Sequence, residues 1–438
     1  MVQKMRKMKD SGIEWIGEIP EGWKIIPVKY LAKYNYDTLA ESCSPDFEFS
    51  YIDIGSVTYT DGITNYQNFK FKDAPSRARR IVHSGDILVS TVRTYLRAVA
   101  CVNEHRLPQI ASTGFLVLQA DISKIHPHFL MYSVLSDNFI CKVEANSVGI
   151  SYPAINASQI VHFKLPIPQL SEQFLLVTYL DQQCSKIDAL LSKTRSSIEE
   201  YKKLKQSVIT QAVTKGVRGE REMKNSGVDY IGQIPAEWVL GKLRNVGDTQ
   251  NGISKSSEFF GKGFPFVSYS DVYKNYSLPS TVSGLVDSTS EEQKRYSVKK
   301  GDIFFTRTSE TIEEVGFSCV CEKDIPNATF AGFLIRVRPF SDKLYTPYAK
   351  YYFRSSHLRF YLVKEMNLVT RASLGQSLLK SMPVLLPPLE EQKEIADYLD
   401  TKCAEIDGLI AKKDQLVKEL ESYKKSLIYE VVTGKREV

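Results

Sequence analysis

Arginine, lysine, asparagine and glutamine gather twice in this chain beside aromatic residues. In the first cluster Lys70 and Lys72 are followed by Arg77, Arg79 and Arg80, with Arg93 and Arg97 further on. Tyr59, Asn65, Tyr66, Gln67, Asn68 and Phe69 lie just upstream of most of them. In the second, Lys294, Arg295, Lys299 and Lys300 precede a Gly-Asp-Ile run, and Arg307, Arg336, Arg338 and Arg371 come after it. Guanidinium groups pair bidentately with guanine and carboxamides with adenine in the major groove, while Lys and the remaining Arg clamp phosphates. The chemistry on offer is recognition of duplex DNA, set against the ordinary alternative of a solvated basic loop. Arg336 and Arg338, two apart, are placed to share one face of a strand.

Bond-making chemistry is not supplied in the same way. An amino-methyltransferase needs a cofactor-binding glycine turn and an Asn/Asp-Pro-Pro-aromatic motif; here Pro387-Pro388 is followed by Leu389. A phosphate-binding loop would need GxxxxGK followed by Ser or Thr, and Gly434-Lys435 fails on both sides. A metal-dependent nuclease would want clustered carboxylates followed by Lys, but Pro45-Asp46 leads only to Glu48-Phe49-Ser50. The seven cysteines include no Cys-x-x-Cys pair, so Cys319 and Cys321 are predicted to pack in a core rather than bind metal. His126 and His128 flank a proline with no ligand spacing around them and read as surface or hinge residues. The expectation is a chain that catalyses nothing and holds no metal or cofactor of its own.

Composition agrees with a globular protein of several domains: 438 residues, 43% hydrophobic and 25% charged. There is no run of about eighteen apolar residues, and the basic start MVQKMRKMKDSG lacks the apolar stretch of a signal peptide, which points to the cytoplasm and away from a membrane. The net charge is +6, yet residues 386–438 carry nine basic against twelve acidic side chains, so the positive excess sits mostly in the segments that hold the two clusters. Positive charge concentrated on selected domains is the footprint of a polyanion partner.

The elements that must position these residues come in duplicate. MKDSGIEWIGEIPEGW from Met8 returns as MKNSGVDYIGQIPAEW from Met223, and LPIPQLSEQFLLVTYLDQQCSKIDALL from Leu165 returns as LLPPLEEQKEIADYLDTKCAEIDGLI from Leu385. From Glu172/Glu391 to Thr214/Thr433 the offset stays at 219, so the chain is two similar modules in tandem. The resulting boundaries are 1–165 and 221–385 for two α+β domains, and 166–220 and 386–438 for two long helices. Between breakers at Pro166, Pro168 and Gly216, and again at Pro387, Pro388 and Gly434, each helix has room for roughly 40 residues, about 60 Å.

Leu399, Ile406, Leu409, Leu416, Leu420, Tyr423 and Leu427 run in steps of three, four and seven, with Lys402 and Lys413 in the gaps. Leu180, Ile187, Leu190, Tyr201, Leu204 and Val208 repeat the pattern in the first helix. That is a heptad seam, so the helices are predicted to pack as an antiparallel coiled coil in a pseudo-two-fold arrangement, with Lys402, Lys413, Gln183, Thr194 and Ser197 as register-fixing polar positions. The signature that begins at Met8 recurs at Met223, directly after the first helix, so the end of the second helix should lie close to the chain start. The intervening segments read as short strands such as GDILVSTV, TGFLVLQA, GDIFFT and GFLIRVR, with a helical stretch near Pro127–Cys141 and Pro347–Val363.

The doubled arrangement SG-x-x-[WY]-IG-x-IP-x-x-W, variable domain, P-x-L-x-EQ and long helix resembles the specificity subunit of type I restriction-modification systems over the whole chain. The first copy departs slightly, reading IPQLSEQ where the family favours PPL-x-EQ. The resemblance implies two target-recognition domains, each reading half of a split, asymmetric double-stranded DNA site. It also implies helices that set the spacer and dock two methyltransferase subunits, which recruit the restriction subunits. S-adenosylmethionine, ATP and Mg would belong to those partners. Trp23, Glu172 and Gln173, with Trp238, Glu391 and Gln392, become scaffold and subunit-docking positions. Two other classes stay open at the level of sequence: a stand-alone DNA-modifying enzyme, disfavoured by the missing motifs, and a coiled-coil adaptor, disfavoured by the paired basic domains.

Overall fold

The computed structural model describes residues 6–309, 314–365 and 372–438. It divides into two compact units, one made of residues up to Thr194 together with Gln415–Val438, the other of Arg195–Asp414. The helices Leu170–Lys215 and Leu389–Val432, 46 and 44 residues long, therefore each contribute to both units.

In the first unit an antiparallel sheet runs Val99–Cys101, Ile87–Ser90, Phe115–Ala120, Ala32–Tyr34 in spatial order. A second sheet runs Gln67–Lys70, Glu48–Ile52, Gln109–Ser112, Ala78–Val82, with its two middle strands parallel. The GDILVS and TGFLVL runs are apolar throughout because their strands are covered on both faces. Ile87, Val89, Leu116 and Leu118 join the core shared with the helices, whereas Leu88, Phe115 and Val117 face Ile52, Val82 and Ala111 of the other sheet.

The second unit repeats this order with Gly247–Asn251, Leu334–Pro339, Ile303–Thr306 and Ser318–Val320. Ile303, Phe305, Ile335 and Val337 face its helices, and Phe304, Leu334, Cys319 and Cys321 the opposite core. Cys319 and Cys321 are thus packing residues, with thiols pushed up to about 12 by burial. Its second sheet has three strands, Leu285–Val286, Phe260–Val267 and Thr329–Phe330. Where the first unit has the strand Ala78–Val82, this one has the short helix Ser290–Arg295, started by a capping box between Thr289 and Glu292.

The helical stretch expected near Pro127–Cys141 is two helices, Pro127–Leu135 and Asp137–Ala145, because Ser136 adopts an extended ψ of 139° and its hydroxyl donates to the Ser133 carbonyl. Thr346–Tyr352 and Ser356–Glu365 are the counterparts.

Within the first unit the beginning of the first long helix packs on the end of the second. Leu176, Leu180, Cys184, Ile187 and Leu191 share a core with Leu427, Ile428 and Val431, and Lys424 pairs with Asp188 at 2.6 Å. Within the second unit Val208, Ile209 and Ala212 meet Ile395, Leu399 and Cys403, and Lys205 pairs with Asp407 at 2.6 Å. The pairing is antiparallel, and the two ion pairs are one contact repeated at the offset of 219.

The seam, however, differs from the sequence expectation. It runs Leu180, Cys184, Ile187, Leu191, Thr194, Ile198 on the first helix, while Leu190 and Leu204 are exposed; on the second, Cys403 replaces Lys402, and Leu409, Leu416 and Tyr423 are exposed. Adjacent leucines at 190 and 191 make either phase legible, and cysteine at a seam position is a small hydrophobe that leucine counting passes over.

The end of the second helix does lie beside the first signature. A Cβ on Gly434 would sit 2.4 Å from the Pro20 ring and 3.2 Å from Trp23, and the Tyr429 hydroxyl donates to the Ile16 carbonyl at 3.3 Å.

Candidate nucleic-acid interface

The six scaffold residues form two internal clasps per unit. Trp23 Nε1–H is 3.2 Å from each carboxylate oxygen of Glu172, which also pairs with Arg6, whose guanidinium lies 5.5 Å over the indole. The copy is Trp238 Nε1–H to Glu391 at 2.9 Å, Glu391 to Arg221 at 2.6 Å and Arg221 5.5 Å over Trp238. Gly216, at φ +76°, leaves room here, since a Cβ would fall on the Arg221–Glu391 pair.

Gln173 closes the second clasp: its carboxamide donates to the Pro168 and Lys124 carbonyls and accepts from His126 N–H. Gln392 does the same with Pro387, Lys343 and Tyr345 N–H. A side chain that satisfies three backbone groups inside a core fixes the start of the long helix against its domain. Trp23, Gln173, Trp238, Glu391 and Gln392 are buried, and the Glu172 side chain keeps partial exposure.

Each Gly-Asp-Ile turn is built alike. Gly85 and Gly301 take φ of 90° and 91°, a left-handed backbone that favours glycine. Asp86 accepts from His83 N–H and the Tyr36 hydroxyl; burial raises its carboxyl against those bonds. Asp302, fully buried, accepts from Lys299 N–H and is bidentate to Arg338 at 2.6 Å for both contacts.

The basic residues sort into three environments. Arg97 donates to Glu144 and Asp137, its pKa raised first by the Glu144 hydrogen bonds, and Arg338 is held by Asp302. Arg336 is 7% exposed, donates to the Ser297 carbonyl and lies over Phe330; burial lowers its pKa. Arg336 and Arg338 do share a face, since both reach Ser297, but it is an inward one. Arg97 and Arg338 are paired with carboxylates and keep part of their side chains in solvent, whereas Arg336 is too buried to meet a duplex.

Lys70 and Lys72 are exposed yet lie by Asp46, at 3.8 and 3.1 Å, which partly offsets their charge. Arg79 lies 5.1 Å over Phe71, and half-buried Arg80 has a pKa lowered by burial. Lys294, Arg295, Lys299 and Lys300 are exposed, with Arg295 over Tyr296, and Arg307 is half-buried. Arg371 lies outside the described residues. Of the upstream aromatics, Tyr59 donates to the Leu135 carbonyl and packs on the helix core, and Tyr66 stacks on His105 at 4.4 Å.

The backbone segments that carry two exposed arginines are neighbours. Thr113 N–H donates to the Arg77 carbonyl, Thr91 N–H to Gly114 O, and Ile155 N–H to Thr91 O, so Arg77, Arg93 and the loop before Ile155 adjoin. Arg93 adopts φ 50° and lies 5.1 Å over the exposed Tyr152 ring. In the second unit Arg307 N–H donates to the Phe333 carbonyl and Leu374 N–H to Arg307 O, placing exposed Phe333 beside the matching segment. Tyr95, Val148, Ile150, Tyr152 and Phe333 were not singled out from sequence. The available signal was the Val-Gly-Ile-Ser-Tyr-Pro run, whose apolar residues alternate as in a strand but are broken up by Gly149 and Pro153.

An α+β domain made twice, each copy clasped to a long helix by the same Trp-Glu and Gln contacts, defines a two-headed scaffold as the class of this molecule. The family model described as the type I restriction modification DNA specificity domain matches residues 20–200 and again 235–419, and the chain belongs to that family. It is 24% identical to a putative type I restriction enzyme MjaX specificity subunit of Methanocaldococcus jannaschii, over 96% of this chain and 95% of that protein. It is likewise 24% identical to the EcoKI specificity subunit of Escherichia coli K12, over 92% and 88%. A chain solved in work on complex assembly and conformational transition of the type I restriction-modification system superposes with a TM-score of 0.74 at 24% identity, covering 95% of this chain and 99% of the other, and shares the fold.

Proposed function

We propose that each of the two α+β domains reads one half of a bipartite, asymmetric DNA site, while two methyltransferase subunits dock on the chain and restriction subunits join through them. As a member of its family the chain is the DNA-specificity subunit of a type I restriction-modification complex, a targeting component and not the enzyme. The observation that carries the reading is the repetition itself: the same clasps recur at Trp23–Glu172 and Trp238–Glu391, while the basic segments between them differ in sequence. A repeated frame with divergent heads suits two different half-sites.

Phosphate contacts would hold each domain on the duplex and base-edge contacts would choose the sequence. S-adenosylmethionine, ATP and Mg belong to the partner subunits in this scheme, and the complex works in the cytoplasm. No helix among the described residues is long and apolar enough to cross a membrane.

The test is methyl transfer from S-adenosylmethionine to duplex DNA by the purified chain, with and without its methyltransferase subunit. Transfer at a split sequence only when both are present is the expected result. Transfer by the chain alone would instead make it a stand-alone modifying enzyme.

A further inference from the structure

Between Ser147 and Ala154 the first unit carries a loop whose tip is apolar: Ile150 is 102% exposed, Val148 81% and Tyr152 67%. Apolar side chains gathered on a loop tip leave favourable burial unused, and such patches mark contact sites. The loop is firmly built. Val148 and Ala154 exchange both backbone hydrogen bonds, at 2.8 and 3.0 Å, and Gly149 takes a φ of +117° that L side chains rarely adopt.

Its base is tied down as well. Ile155 N–H donates to Thr91 O at 2.9 Å, the Thr94 hydroxyl to Ser147 Oγ at 2.9 Å, and Arg97 locks the neighbouring turn to Glu144 and Asp137. Arg93, on a segment neighbouring that of Arg77, spreads its guanidinium over the Tyr152 ring.

We propose that this loop is an apolar reading finger that enters a groove of duplex DNA, with Ile150 packed against base edges and Arg93 on a flanking phosphate, and that Ile150 is a specificity-determining residue. The inference rests on the DNA-reading function given above and names the contact by which the first domain performs it. The occupant is a duplex because the apolar tip carries the exposed Arg93 guanidinium over its Tyr152 ring. A groove offers the complementary pair of surfaces, anionic walls and a floor of base edges that includes the thymine methyl group. A β-branched side chain on a loop closed by reciprocal hydrogen bonds also loses little freedom when it is immobilised.

The experiment uses the full chain assembled with its methyltransferase subunit and a duplex enriched from a random-sequence pool by the unmodified complex. Affinity is measured across a salt series for Ile150→Asn and Arg93→Ala. Ile150 touches no core, so thermal melting of the variant should match the parent.

The expected result for Ile150→Asn is a roughly tenfold loss of affinity with the salt slope unchanged, because an apolar contact releases no counterions. Arg93→Ala should lower the slope by about one. Parental affinity of Ile150→Asn for the duplex overturns the finger and leaves the reading function standing, and this holds equally if the variant loses its methyltransferase subunit instead. If the parental complex enriches no sequence from the pool, the reading function and the finger fall together.

Discussion

At the scale of single residues, the arginines separate according to whether a carboxylate reaches them. Arg338 neutralises the fully buried Asp302, and removing one member of such a pair strands the other without solvent. Arg338→Met is therefore expected to destabilise the second unit by about 2 to 3 kcal/mol, somewhat less than for a wholly buried pair because Arg338 keeps some solvent. Urea denaturation checks it; a midpoint equal to the parent's would show that Asp302 is satisfied by Lys299 N–H alone.

His357 presents the opposite problem, with both ring nitrogens buried and unpartnered beside Tyr352, and burial lowers its pKa to about 4. The folded state then binds fewer protons than the unfolded state between about pH 6.5 and 4, so stability rises with pH across that window and is lost as pH falls. The difference in unfolding free energy between the parent and His357→Phe should shift by about 3 kcal/mol from pH 7 to pH 4, in favour of the variant at low pH. A pH-independent difference would mean that the ring finds a partner in solution.

At the scale of elements, the long helices are held by a repeated contact rather than by a uniformly leucine-rich seam. Lys424–Asp188 and Lys205–Asp407 specify the register, while Thr194 occupies a buried seam position with its hydroxyl returned to the Leu190 carbonyl. Inserting four residues near Ser196 keeps the heptad roughly in phase and lengthens the helix by about 6 Å, close to two base pairs. Sequencing the DNA modified by the assembled variant is expected to return the original half-sites with a longer gap. The original gap would show that the helix does not set the spacer.

At the scale of the whole molecule, the first unit is completed by Gln415–Val438, and the repeat offset makes residues 196–219 the counterpart of that segment. A fragment ending at Glu222 thus contains one recognition domain, one long helix and the equivalent of the segment its own unit needs, but cannot use it on itself along a single straight helix. Two copies can exchange it, as an isologous two-fold interface allows. The fragment is expected to be a homodimer in analytical ultracentrifugation and, with the methyltransferase subunit, to modify an inverted repeat of the first half-site. A folded, strictly monomeric fragment at micromolar concentration would confine the symmetry to the sequence.

Much of this molecule is legible in its amino-acid sequence. The repeat is read by matching the chain to itself at an offset of 219, and the breakers around each helix, the strands at GDILVS and GFLIRV and the missing catalytic motifs are local properties, set by periodicity, turn chemistry and residue type within a few positions. Tertiary structure decided what depends on distant partners. Which of two adjacent leucines, 190 or 191, enters the seam is chosen by the helix packed against it. Whether an arginine faces solvent is chosen by carboxylates far along the chain, Glu144 for Arg97 and Asp302 for Arg338. An arginine beside a carboxylate and one beside solvent are the same letter in a sequence, and only the fold brings the carboxylate.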